Sequence, residues 1–136
     1  MRNRSVPVDA ILPHLLYPDL EEAITWLAET FGFREHYRYG EPIGGAQLYL
    51  GAAVIMLKQG RPSPANITVI VDDVDAHYTR TKAAGAKIYE ELQETCYGER
   101  QYGVEDIGGH RWLFGKHVRD VSPSEWGATI KGPGPT

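Results

Sequence analysis

Apolar and polar positions alternate in two modes along this chain, and the change from one mode to the other happens twice. The run Ala10-Ile11-Leu12-Pro13-His14-Leu15-Leu16 reads as a short strand and ends at Pro18-Asp19. Beyond it the period becomes helical: Leu20, Ala23, Ile24, Leu27 and Phe31 share one stripe, while Glu21, Glu22, Thr25 and Glu29 fall off it. Asp19 stands where a short side-chain oxygen caps the helix, with Glu22 three residues on as in a capping box, and Gly32 supplies the stop. The second passage begins with the strand Ile67-Thr68-Val69-Ile70-Val71 and the pair Asp72-Asp73, and continues with a weaker stripe of Val74, Tyr78, Thr81 and Ala84 before Gly85. Three strand-like segments follow each helix, over 34–39, 45–50 and 53–58 and then over 86–92, 99–105 and 110–115.

A shift of about 54 positions lays the two passages on one another, with Asp19-Leu20-Glu21-Glu22 on Asp73-Val74-Asp75-Ala76. The predicted fold class is α+β, built from two tandem βαβββ modules at about 9–59 and 65–117 within a single domain spanning 1–136. Gln59-Gly60-Arg61-Pro62-Ser63-Pro64 reads as the linker. In the tail, 118–136, Ser122-Pro123-Ser124-Glu125 predicts one helical turn presenting Trp126.

Composition narrows the function classes. A net charge of −4 with no basic stripe argues against nucleic-acid binding, and no apolar run reaches the ~20 residues of a membrane span. The first sixteen residues lack the apolar stretch and small-residue cleavage site of a secretory signal. A single cysteine, Cys96, forms no internal disulfide and fits a cytoplasmic protein.

The strings VDDVDAHYTRTKAAGAK at 71–87 and YGERQYGVEDIGGHRWLFGKH at 97–117, in this order and spacing, resemble the vicinal oxygen chelate superfamily. That superfamily includes glyoxalase I, extradiol dioxygenases, bleomycin-resistance proteins and the PhnB-like group. The resemblance implies curved mixed sheets around a cavity, and a homodimer. It also implies where a metal would sit in members that use one: one inward position on the first and last strand of each module, carrying His, Glu or Gln. Matched on the aspartate caps and the closing hairpin, those positions are Leu12, Met56, Asn66 and Leu113. None is a good ligand for a hard divalent ion except, weakly, Asn66, and one-residue slips bring in no better donor. The expectation is therefore no metal and no cofactor.

Strand alternation from these positions gives the remaining inward side chains. The candidate ligand-binding residues are His14, Gln47, Tyr49, Asn66, Thr68, Glu99, Gln101 and Arg111, with Lys58 a further charge on the same face. His14 and Glu99 are the candidate acid–base residues, should the protein have a catalytic role. His36, His77 and His117 read as surface residues, and His110 as a brace for the closing turn. Trp112 and Tyr102 read as core residues packed on the second helix. The functional expectation is a metal-independent small-molecule-binding protein that sequesters an antibiotic or other organic ligand. Two alternatives stay open: a lyase or isomerase using His14 and Glu99, and a dioxygenase or other metalloenzyme with displaced ligands. The acidic balance suits a cationic ligand, whereas Arg111 and Lys58 suit an anion.

Overall fold

The computed structural model describes residues 11–134, and Ala10 of the first predicted strand lies outside them. The order is β1 (His14–Tyr17), α1 (Leu20–Phe31), β2 (Arg34–Tyr39), β3 (Gly45–Leu50), β4 (Ala53–Gln59), β5 (Asn66–Ile70), α2 (Val74–Ala83), β6 (Lys87–Glu94), β7 (Glu99–Glu105) and β8 (Arg111–His117), then a 3₁₀ turn over Pro123–Trp126. Each module forms its own four-stranded mixed sheet, ordered β1-β4-β3-β2 and β5-β8-β7-β6. The first strand of each runs parallel to the last, and the other pairings are antiparallel.

The first strand is shorter than the apolar run predicts. Pro13 has no N–H to give to the ladder, although its carbonyl still accepts from Met56 N at 2.9 Å. Both helix caps form as read, with Asp19 Oδ1 accepting from Glu22 N at 3.1 Å and Asp73 Oδ1 from Ala76 N at 3.0 Å. Gly32, at φ 87°, and Gly85, at φ 83°, take the left-handed conformation that stops each helix. In the tail, the Glu125 carboxylate accepts from Ser122 N at 2.7 Å, and Trp126 packs on Tyr97 with ring centres 5.6 Å apart.

One face of each sheet is covered by helix. Ala46, Leu48, Ile55 and Leu57 are buried on the α1 side, as alternation predicts. The modules then join through an aromatic core. Phe31, the last residue of α1, meets Trp112 and Phe114 of β8 at 5.4 and 4.9 Å, and Phe33 meets Trp112 at 5.6 Å. Trp112 thus also packs on the first module, a partner that its own half of the repeat does not announce. Tyr102 does pack on α2, edge-on to Tyr78 and bonded to Thr81 at 2.9 Å.

His77 corrects a second expectation. It is half-buried rather than a surface residue: its Nε2 donates to the Phe31 carbonyl at 2.8 Å, its Nδ1 pairs with Tyr102 Oη, and its ring lies 4.2 Å from that of Phe114. One turn of helix separates it from Val74 and Thr81, so it lies on the buried face of α2. Burial holds its pKa below the ordinary histidine value, opposed by the Phe31 carbonyl and aided by the positive charge of Arg80. The folded state therefore binds fewer protons than the unfolded chain below about pH 6.5, and stability falls as pH drops through that value. Thermal melts should show Tm several degrees lower at pH 5.5 than at pH 7.5. In His77→Gln that decline should flatten, and an equally steep decline would show that other groups cause it.

Candidate functional site

The face of the first sheet turned away from α1 holds a polar cluster. His14, Met56, Gln47 and Tyr37 are successive cross-strand partners in one row. Gln47 is only 1% exposed, so its amide requires partners. Its Nε2 donates to Tyr37 Oη at 3.2 Å and contacts Met56 Sδ at 3.4 Å, and its Oε1 meets His36 Nδ1 at 2.7 Å.

Two consecutive residues of β2 reach one residue of β3 because the pairing slips between Glu35 and Tyr37. Such a bulge sets two residues against one and suspends alternation. Regular alternation would send His36 and Tyr37 to opposite faces; His36 is exposed, as expected of a surface residue, yet it also reaches the Gln47 amide. No turn residue or glycine in REHYRY marks the irregularity.

Beside this cluster lies a cavity of about 720 Å³. Ile11, Pro13, Val54, Ile55, Ile67 and Val69 supply most of its apolar wall, and His36, Gln47, Tyr49 and Thr68 its polar groups. Both modules contribute. No Asp, Glu, Lys or Arg stands among the described residues that line it. Of the candidates from the sequence, Gln47, Tyr49 and Thr68 are brought together here.

The other candidates lie elsewhere. His14 is exposed at the start of β1, off the cavity lining, as is Lys58 in β4. Asn66 pairs across the second sheet with Arg111, whose guanidinium lies 4.9 Å over the Tyr89 ring and 3.5 Å from Glu105. Gln101 donates to Glu90 at 3.2 Å, and Glu99 accepts from His117 Nδ1 at 2.9 Å. Asn66, Glu99, Gln101 and Arg111 thus belong to the second sheet and are not on the cavity wall. Glu99 has His117 as its histidine partner, and no bond joins it to His14.

The closing hairpin carries a buried acid. Asp106 Oδ1 accepts from the backbone N–H of Gly108 at 2.8 Å and of His110 at 2.9 Å; Oδ2 accepts from Tyr17 Oη at 2.6 Å and Trp112 Nε1 at 3.0 Å; and His110 Nδ1 lies 3.0 Å from Oδ1. His110 braces this turn, as its position predicts. Burial alone would raise the Asp106 pKa, but the bonds from His110, Tyr17 and Trp112 outweigh it and hold the carboxyl below its ordinary value. Burial, then the Asp106 charge, pushes the Tyr17 phenol well above its usual range. All of Asp106's acceptor capacity faces inward, so its role is structural.

The four positions that would carry a metal do not fit one. Leu12 and Leu113 have no donor atom, and the Met56 sulfur already contacts Gln47 Nε2 and, at 3.9 Å, Tyr37 Oη. Asn66 alone offers an oxygen. Among the described residues no three His, Cys, Asp or Glu side chains gather as a potential ion site.

The duplicated βαβββ chain thus forms a concave, largely apolar cavity lined from both halves. The chain belongs to the Glyoxalase/Bleomycin resistance protein/Dioxygenase superfamily, whose family model matches residues 9–114. TioX from Micromonospora sp. ML1 is 34% identical, with a TM-score of 0.74 over 81% of this chain and 99% of its own. The uncharacterized protein Mb0911c of Mycobacterium bovis is 30% identical over 92% of this chain and 94% of its own. A glyoxalase-related enzyme from Clostridium phytofermentans, 16% identical with a TM-score of 0.68 over 85% of this chain and 100% of its own, shares the fold.

Proposed function

We propose that this protein is a metal-independent small-molecule-binding member of its superfamily, which sequesters an organic ligand in the cytoplasm as a homodimer. The cavity carries this reading. Its volume of about 720 Å³ suits a drug-sized molecule, and a few polar groups from both modules, His36, Gln47, Tyr49 and Thr68, interrupt an apolar wall. Leu12 and Leu113 at the expected metal positions support binding without a chelated ion. The acid–base alternative has less support, because Glu99 is engaged by His117 on the sheet that does not contain His14. In such a dimer the second copy would cover Ile70 of β5, which is 66% exposed.

The lining also addresses the ligand's charge. Among the described residues the lining carries neither Lys58 nor Arg111 nor any carboxylate, which favours an uncharged ligand over a cation or an anion. Metal analysis of the purified protein should find no stoichiometric Ni, Zn, Mn or Fe, and EDTA should leave Tm unchanged. In a thermal-shift screen, neutral organic compounds should raise Tm by several degrees without being consumed. A stoichiometric metal, or turnover of the stabilising compound, would overturn the proposal.

A further inference from the structure

On the reading that the cavity binds an uncharged organic molecule, we infer that this ligand is peptide-like: an extended run of uncharged amides that adds as a strand to the free edge of β5. In the second sheet, ordered β5-β8-β7-β6, β5 has a neighbour on one side only. Arg111 N donates to the Ala65 carbonyl and Val71 N to that of Gly115, both at 2.9 Å, and the register between them is unbroken. In a parallel ladder this turns the N–H and C=O groups of Ile67 and Val69 toward β8. Those of Asn66, Thr68 and Ile70 point the other way, and they have no partner among the described residues. They repeat every ~6.6 Å along the strand, the spacing at which another extended backbone presents its own. The outer edge of each sheet is defended against such pairing by charge and irregularity. β2 carries Arg34, Glu35 and Arg38 with a bulge, and β6 carries Lys87 and three glutamates with two register shifts. β5 carries no charged residue, no proline and no register shift.

The cavity runs along this edge. Consecutive strand residues send their side chains to opposite faces, yet Ile67, Thr68 and Val69 all line it. A hollow touched by three consecutive residues in mid-strand lies along the strand's edge, and β8 closes the other edge. A second hollow of about 560 Å³ continues past Ile70 and Val71, and Gly51 and Ala52 line both. Gly51 to Ile55 form the opposite wall of the first cavity, so it is a slot that admits a detached strand. A second copy would bring its whole sheet with its edge; where it covers the Ile70 side chain, it meets the face of β5 and not this slot. Backbone pairing supplies affinity in such an addition, and the uncharged lining selects uncharged side chains.

Calorimetry tests this with three forms of one uncharged probe, acetyl-Val-Thr-Val-Thr-Val-amide: unmodified, N-methylated at its second and fourth residues, and N-methylated at all five. Addition to a single edge needs only one alternate set of N–H groups. The unmodified peptide should bind, the form with one edge methylated within about threefold of it, and the fully methylated form at least tenfold more weakly. Thr68→Pro removes an outward N–H and leaves the β8 ladder intact, so it should weaken the unmodified peptide about tenfold, with circular dichroism confirming the fold. Should the proline variant not fold, the methylated probes decide alone. Equal affinity of all three forms, or full affinity in a folded Thr68→Pro variant, would overturn the inference and leave the binding function standing. So would a peptide that does not bind while neutral organic compounds still raise Tm; if those fail as well, both readings fall. A dimer that Thr68→Pro converts to monomer in sedimentation, with no peptide bound by the unsubstituted protein, would give the edge to a second copy and overturn the inference.

Discussion

Asp106→Ala should cost about 3–5 kcal/mol of folding stability, the range for breaking a buried charged network by removing one partner. Five donors converge on this carboxylate, and alanine leaves the Tyr17 hydroxyl, the Trp112 indole N–H and two backbone N–H groups unpaired. The Tyr17 bond spans the two modules, so the loss is felt in both. Asp106→Asn should lie between wild type and alanine, at about 2 kcal/mol. It keeps one oxygen for the turn, but sets an amide N–H against the Trp112 donor. Urea unfolding with a constant m-value measures both variants, and a cost below 1 kcal/mol for alanine would refute the bracing role.

The same group contributes to acid sensitivity. Its folded pKa lies below its unfolded value, so the unfolded state takes up protons first as pH falls. The stabilisation is complete above about pH 3.9 and is lost as pH drops through the folded value. The Asp106 variants should therefore lose less stability than wild type in that acid range. The His77 effect sets in at higher pH, below about 6.5, so the two contributions separate on one pH titration of Tm.

Phe31→Ala is the second large effect, at about 3–5 kcal/mol for deleting a fully buried aromatic ring. The ring closes the seam between modules, edge-on to Trp26 at 5.0 Å, Trp112 at 5.4 Å and Phe114 at 4.9 Å. Removing it opens a void between two indoles, so tryptophan emission should shift to the red in the native state. Unfolding should also lose cooperativity, because each module keeps its own sheet and helix while the shared core is thinned. Trp26→Ala, at a half-buried position on the same seam, should cost clearly less. Phe31 does not line the principal cavity, so ligand affinity measured well below Tm should change little. A variant with an unchanged midpoint and unchanged emission would show that the modules are held together elsewhere.

The sequence by itself determined the duplicated architecture. Its two periods are local: an aspartate cap, a helical stripe, a terminal glycine and three alternating segments each follow from neighbours a few residues apart. For the same reason Gln47 and Tyr49 were legible as facing away from the helix. Leu12 and Leu113 were likewise legible as poor metal positions, since a side chain without a donor atom needs no tertiary context to be judged. Tertiary structure alone decided which inward residues share a cavity. Gln47, Tyr49 and Thr68 meet there, whereas Asn66, Glu99, Gln101 and Arg111 lie off it on the second sheet.

His36 and His77 show why the remainder was hidden. His36 enters the site through a bulge, and one unpaired residue reverses the face of its neighbour without leaving a mark in composition. His77 is half-covered by Phe31 and Phe114, which come from the other helix and the last strand. Periodicity assigns a face to a residue, but not the element that will cover that face. That depends on how two half-cores pack together, a property of the whole chain that no short window of sequence contains.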